Sequence, residues 1–385
     1  MAKNILLVLL EFDNWEQGRS WSYTGSYAFK DGFERNGHRC FLLPAIHGRA
    51  PDATDSFIKH APALFAGQQF DEAWIWGNHA SYDDNFWSWL KEVAPIRVGV
   101  ALESLNHTPL ELEALPFLQK RQDDVFACLR HCTHAVAIDE VDVEQIEDRF
   151  DIPATPNVFM VPEQFVRNDP APDHDVASFI GAGYFTGPAY NFPKAHLLPR
   201  NQFLADSRLH GLMNRPHFQL PERGSRTLER FEEMQQEMTA RLRAGKLDPA
   251  SFNAYVEELP RLRGDIFSML LDGFRLGMAS INLPTLAKSY SGRVVEAMAA
   301  CVPSLSWRPP ERPQCARWFK EDEELVLFDS VEQLADKIIR LRQDAGWRAS
   351  LVTNGRKAVL ERYTSQIRCK QYSDWIEHGT PLSLS

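Results

Sequence analysis

Residues 289–303 read Ser-Tyr-Ser-Gly-Arg-Val-Val-Glu-Ala-Met-Ala-Ala-Cys-Val-Pro, and this stretch decides the fold. A loop of small residues opens a short helix, and an apolar strand over Val302–Trp307 follows at once. The start of a helix presents unbonded backbone N–H groups and a partial positive charge, so Ser291 and Gly292 mark a place suited to a phosphate or pyrophosphate. Arg293 and Glu296 are three residues apart and are neighbours on one helix face, which the pattern expects to be exposed. That spacing offers Arg293 to a diphosphate and Glu296 to ribose hydroxyls. Val294, Ala297, Met298 and Cys301 make the apolar stripe opposite. Lys288 and Tyr290 stand just before the helix and face the same place.

Outward from this stretch, strand and helix signals alternate along the whole chain, as in doubly wound α/β domains. In the first part the expected strands are Ile5–Leu10, Arg39–Leu43, Glu72–Trp76, Arg97–Leu102, His134–Ile138 and Val158–Val161. Helical patterns fall between them at Ser26–Asn36, 54–66, Phe86–Val93, Leu110–Arg130 and Asp142–Phe150. The proline-rich run Asn168–His174 reads as a linker. A second α/β set starts at Val176–Ile180 and continues through Met278–Leu283, Val302–Trp307 and Glu324–Phe328. A charged helical insertion or hairpin interrupts it over 225–262. Ser330-Val-Glu-Gln333 is a capping-box pattern that opens a helix, and Trp347–Arg362 and Thr364–Ile376 are further helices. The expected division is 1–166, 175–363 and a tail, 364–385.

At 385 residues the chain suits two domains rather than one core. A formal net charge of −10 speaks against a general nucleic-acid or anionic-membrane binder. No apolar run reaches the ~18 residues that span a bilayer, and the apolar run after Met1 is short and ends in Glu11, so a cytoplasmic location is expected. Six scattered cysteines suit reduced thiols.

Residues 289–303, with the strands around them, resemble the nucleotide-sugar site of glycosyltransferases of the two-domain GT-B fold, the group 1 and CgeB-like families above all. Those families carry Glu-Ala-Met-Ala-x-Gly-x-Pro in the second domain. The resemblance is clearest over about 275–376. Cys301 stands where those families have glycine. Lys288 stands where many retaining members have the first glutamate of a Glu-x7-Glu pair. The resemblance implies two Rossmann-like domains facing a cleft, with a C-terminal helix that crosses back onto the first. It implies metal-independent transfer of a hexosyl group from a UDP- or GDP-sugar, bound by the second domain, to an acceptor hydroxyl at the first. Glu296 would hold the ribose, and no cofactor beyond the donor is expected. A nucleotide-sugar epimerase, a sugar phosphorylase and a non-catalytic glycan- or partner-binding protein are the alternatives on the same fold.

Other candidates follow from topology, because ligands of open parallel sheets sit at the carboxyl ends of strands. In the second domain Gly181 and Gly183 of Phe179-Ile-Gly-Ala-Gly allow close backbone approach to a ligand. In the first, the rule nominates Asp13, Glu16 and Gly18, then His79, then Glu103 and His107, then Asp139 and Glu140. Asp13, Glu103 and His79 are the chosen candidates for the base that deprotonates an acceptor. Trp15 and Trp21 are loop residues that could stack on a sugar, whereas Trp74, Trp76, Trp87 and Trp89 read as core. Cys128-Leu-Arg-His-Cys-Thr-His134 mimics a metal cluster but lacks the second separated pair of a structural zinc site, so no metal is expected. Arg49, Lys194, Arg200, Arg208 and Arg215 are isolated basic residues that nothing in the sequence ranks.

Overall fold

The computed structural model describes residues 2–12, 26–47, 57–77, 82–181, 192–215 and 222–383. The first sheet has six parallel strands, β1 (Asn4–Phe12), β2 (Arg39–His47), β3 (Glu72–Trp76), β4 (Ile96–Ala101), β5 (His134–Ala137) and β6 (Ala154–Pro156), in the order β2-β1-β3-β4-β5-β6. Helices α1 (Tyr27–Arg35), α2 (Ala61–Leu64), α3 (Asp84–Val93), α4 (Pro109–Ala114), α5 (Phe117–Leu129) and α6 (Glu140–Phe150) connect them. Ile5 to Leu9 are fully buried, as a strand covered on both faces requires. Trp74 and Trp76 are also fully buried and pack on Phe29.

The second sheet is parallel too, with β7 (Ala177–Ser178), β8 (Met213–Asn214), β9 (Ser280–Asn282), β10 (Ser304–Trp307) and β11 (Val326–Phe328) in the order β11-β10-β9-β7-β8. Its helices are α7 (Pro199–Ala205), α8 (Glu222–Arg243), α9 (Pro249–Phe274), α10 (Gly292–Ala299), α11 (Val331–Gln343) and α12 (Ala345–Arg362), and α13 (Ser365–His378) ends the chain. The doubly wound architecture expected from the sequence is thus present twice.

Local chemistry explains the boundaries. Thr108 caps α4 with a capping box, and Pro116 interrupts the expected long helix 110–130, leaving α4 and α5. Ser330 caps α11, while the Gln333 side chain accepts from Asp329 N–H, one residue before the expected partner. The strand expected at 158–161 is a correction: β6 lies at 154–156, and only Val161 makes an isolated bridge, to Thr364. Prolines 153 and 156 hid this strand from a sequence reading. They are tolerated because β6 is the sheet edge, where one face of the backbone has no neighbour to bond.

Two elements tie the halves together. The α8–α9 hairpin, longer than the expected 225–262, lays α9 against the first sheet's helical layer: Phe57 meets Phe252 and Tyr255 at ring distances of 5.3 and 5.8 Å. Arg263 of α9 forms a buried ion pair with Glu11 at the end of β1, and the Tyr27 hydroxyl donates to the same carboxylate at 2.6 Å. Helix α13 crosses back and packs on α1, with Tyr372 stacked on Phe29. The helices approach so closely that a Cβ on Gly32 would lie 2.3 Å from the Ser365 carbonyl oxygen. Among the described residues no helix is long and apolar enough to cross a membrane.

Candidate functional site

The carboxyl ends of β4, β9 and β10 meet at a cleft of 730 Å³ between the two sheets. Loop 106–111 of the first half walls one side, and residues 282–291 and 306–312 of the second wall the other. The start of α10 opens at its floor. Ser291 is the N-cap, yet its side chain accepts none of the first-turn N–H groups. Its hydroxyl instead donates to Asn282 Oδ1 at 3.1 Å, and Asn282 in turn donates to Ser304 Oγ at 3.0 Å. A serine N-cap ordinarily satisfies an N–H of the first turn. Turned away, it leaves the helix start open to an anion.

Arg293 is the second residue of that helix. Among the described residues its side chain has no hydrogen bond or ion pair, and its Nε is buried without a partner; it stands behind Ser291 and is not itself part of the cleft lining. Lys288 differs. It adopts a left-handed backbone, φ 53°, and its ammonium reaches across to Asn106 O and to Glu111 Oε2, the latter at 3.0 Å. Its charge is spent on the first domain rather than held free. Tyr290 is a core residue: its ring packs on Phe319 at 5.2 Å, and burial pushes its phenol well up from the usual range. Glu296 corrects the expectation of an exposed face, because it is fully buried and does not line the cleft. Helix α10 is enclosed by α9 and α12 as well as by the sheet, so nearly all its residues from Val294 onward are core.

Cys301 occupies the position where the families that residues 289–303 resemble carry glycine. Here φ is 58°, the left-handed conformation that ends a helix. Val302 N–H bonds Ala297 O at 3.0 Å and Cys301 N–H bonds Met298 O at 3.1 Å, the paired bonds of a Schellman cap.

The remaining strand-end and loop candidates separate. Asp13, His79, Gly183, Glu16, Gly18, Trp15, Trp21 and Arg49 lie outside the described residues. Glu103 is held by Arg121 Nη1 at 2.8 and 3.0 Å and does not line the cleft, so the geometry disfavours it as a base. His107 does line the cleft. Its Nδ1 is buried without a partner among the described residues, and burial lowers its pKa below the usual 6.5. Gly181 is exposed, and a Cβ there would lie 2.9 Å from the Phe179 ring.

Asp139 and Glu140 serve the interface. Asp139 is fully buried, caps α6, accepts from Ser104 Oγ at 2.7 Å and pairs with Arg312 Nε and Nη2, the latter at 2.8 Å. Glu140 accepts from the backbone N–H of Gln314 and Cys315 at 3.2 and 2.6 Å. Behind them, Asp142 accepts from Leu105 N–H at 2.8 Å and Asn106 Nδ2 at 2.6 Å. Burial, with Asp139 beside it, pushes its carboxyl up to about 7.

The basic residues are engaged. Lys194 pairs with Glu113, Arg208 with Asp206 and Glu332, and Arg215 donates to Leu204 O. Arg200 holds the Pro284 carbonyl at 2.9 Å and so steadies the cleft wall. Cys128 and Cys132 are buried in the core, His131 stacks on Trp87 at 4.5 Å, and no group of three metal-ligating side chains occurs among the described residues. Asn106, Asn282 and Arg312 are absent from the sequence-based candidates. Asn282 ends β9 and Arg312 follows β10, so the strand-end rule reaches both once it is carried past the first strand of the second sheet.

With this geometry in place, residues 227–374 match the family described as glycosyl transferase-like, which spans less than half of the chain. No curated protein matches in sequence. Among solved structures, HepE of Anabaena in complex with UDP-glucose is similar at 10% identity and a TM-score of 0.52, over 97% of this chain and 99% of that one. Sucrose-phosphate synthase of Thermosynechococcus elongatus is similar at 11% identity and a TM-score of 0.56, over 98% and 100%. An alpha-glucosyltransferase in complex with UDP-glucose and DNA containing an abasic site is similar at 12% identity and a TM-score of 0.57, over 98% and 100%. The chain therefore has the two-domain GT-B fold throughout and carries a glycosyl transferase-like segment across α8 to α13.

Proposed function

We propose that the protein transfers a hexosyl group from a nucleoside-diphosphate sugar to an acceptor hydroxyl in the cleft between its two halves, on the CgeB-like pattern of residues 289–303. The observation that carries this reading is the open start of α10: Ser291 is diverted to Asn282, and Arg293 beside it is an uncompensated cation. Both favour a group whose negative charge grows as the glycosidic bond breaks, which is the leaving diphosphate. The N–H groups of this turn and the Arg293 guanidinium supply that stabilisation from the protein itself, so metal-independent binding is part of the proposal. Neighbours with UDP-glucose bound support a uridine nucleotide.

On the acceptor side, His107 is the proton acceptor the described residues favour. It lines the cleft and its depressed pKa keeps the imidazole neutral at pH 7. Glu296 remains the proposed ribose ligand, which requires that it be uncovered as the nucleotide enters.

The test is calorimetric titration with UDP and GDP in chelator, for the wild type and Arg293→Ala. Binding without metal, weakened about 10- to 150-fold by loss of a charged hydrogen bond, is expected. Equal affinity of the two proteins refutes the site. Glu296→Ala, compared with UDP and its 2′,3′-dideoxy analogue, tests the ribose contact separately.

A further inference from the structure

The lining of the cleft is of two kinds. The floor at α10 is polar, with Asn282, Ser291 and Ser306. The apolar part of the lining is built from Leu110, Leu198, Pro284, Trp307, Pro309 and Pro310. Trp307 is fixed there by edge contacts to Phe203 at 5.4 Å and Phe328 at 6.1 Å, both in the second core. Leu110 is 38% exposed at the rim, and Leu197, beside the lining Leu198, is 37% exposed. Both are among the few large apolar side chains left exposed among the described residues, and Leu110 lines the cleft itself.

Charge sharpens the argument. Among the described residues the cleft lining holds two cations, Lys288 and Arg312, and each is already bound to a first-domain carboxylate, Glu111 and Asp139. Glu311 adds an exposed acid to the rim. Among the described residues, a phosphorylated or polyanionic acceptor would find no free positive charge in the lining and would have to break an interdomain ion pair to obtain one. A neutral molecule with an apolar portion would be repelled by nothing and would cover side chains that water now touches.

We infer that the acceptor is neutral and carries an aryl or alkyl group next to the hydroxyl that receives the sugar. The apolar group lies against Trp307 and Leu110 and presents the hydroxyl towards the polar floor. This inference rests on the proposed glycosyl transfer only in calling the bound molecule an acceptor.

The experiment compares methyl, octyl and phenyl β-D-glucosides and glucose 6-phosphate as ligands of the full chain, by saturation-transfer NMR and calorimetry below micelle-forming concentrations, without nucleotide and with UDP. Octyl and phenyl glucosides are expected to bind at least about tenfold more tightly than the methyl compound, the equivalent of sheltering about two methylenes. Glucose 6-phosphate is expected to bind most weakly. Trp307→Ala and the surface substitution Leu110→Ser should each shrink the octyl-to-methyl ratio, the first to below about threefold. Equal binding of methyl and octyl compounds, tighter binding of the phosphate, no binding of any neutral glycoside, or a preference that survives both substitutions overturns the inference. Absence of all nucleotide binding, with the aryl preference intact and sensitive to Trp307, would instead refute the glycosyltransferase reading and leave the apolar cleft standing.

Discussion

Cys301 offers a prediction whose sign depends on one torsion angle. With φ at 58° it sits in the left-handed region, which costs an ordinary L-residue roughly 1–2 kcal/mol and costs glycine almost nothing. Replacing Cys301 removes a thiol that is 3% exposed and lies 3.1 Å from the Arg167 carbonyl oxygen. Both Cys301→Ala and Cys301→Gly lose that contact, so comparing the two cancels it. Ala keeps the backbone strain. Gly relieves it but adds about 0.4–1 kcal/mol of chain entropy to the unfolded state. The Gly variant should therefore be the more stable of the two by about 0.5–1 kcal/mol. In a helix interior the order would be reversed, with Gly about 1 kcal/mol worse than Ala. Urea unfolding followed by circular dichroism, with midpoints and slopes compared, reads the difference. An Ala variant clearly more stable than the Gly variant would show that α10 does not end in the cap described.

Other outcomes follow from the interface and the site. Arg312→Ala strands the fully buried Asp139 without its cation and should cost roughly 3 kcal/mol or more in urea unfolding, while Arg312→Ala with Asp139→Asn should recover part of that; no loss in the single variant would mean the pair does not hold the halves together. Asp142 has a folded-state pKa of about 7 against an ordinary 3.8, so the folded protein binds the extra proton and this group's contribution to stability falls as pH rises from about 4 to 7. Asp142→Asn should accordingly gain on the wild type across that window, and parallel stability–pH curves for the two proteins would refute the assignment. His107→Ala should lower turnover about 10²–10⁴-fold, and the acid limb of the wild-type rate profile should lie below pH 6.5; Glu103→Gln, in contrast, should stay within about tenfold of wild type. Gly32→Ala should loosen α13 from α1 and lower the melting temperature, because its Cβ has no room beside Ser365.

The amino-acid sequence by itself determined what is local and periodic. The runs Ile5–Leu9 and Glu72–Trp76, the alternation of strands with amphipathic helices, the capping residues Thr108 and Ser330, and the loop–helix–strand of residues 289–307 all carry their reasons within a few neighbours. What the sequence could not carry was set by partners from other elements, distant along the chain. Glu296 was read as exposed because its own helix has a polar side there, yet α10 is packed between α9 and α12 and that side is closed. Lys288 looked like a free loop cation, but the β4 loop supplies Asn106 and Glu111 to hold it. Asp139 looked like a strand-end acid open to a substrate, and Arg312 claims it across the interface. The β6 strand was masked by two prolines that only an edge position tolerates, and edge position is a property of the assembled sheet. Periodicity assigns a residue to a face of its own element. Only packing decides whether that face meets water, a core or the opposing domain, because the choice is made by burial and charge pairing between segments that the chain brings together after each has formed.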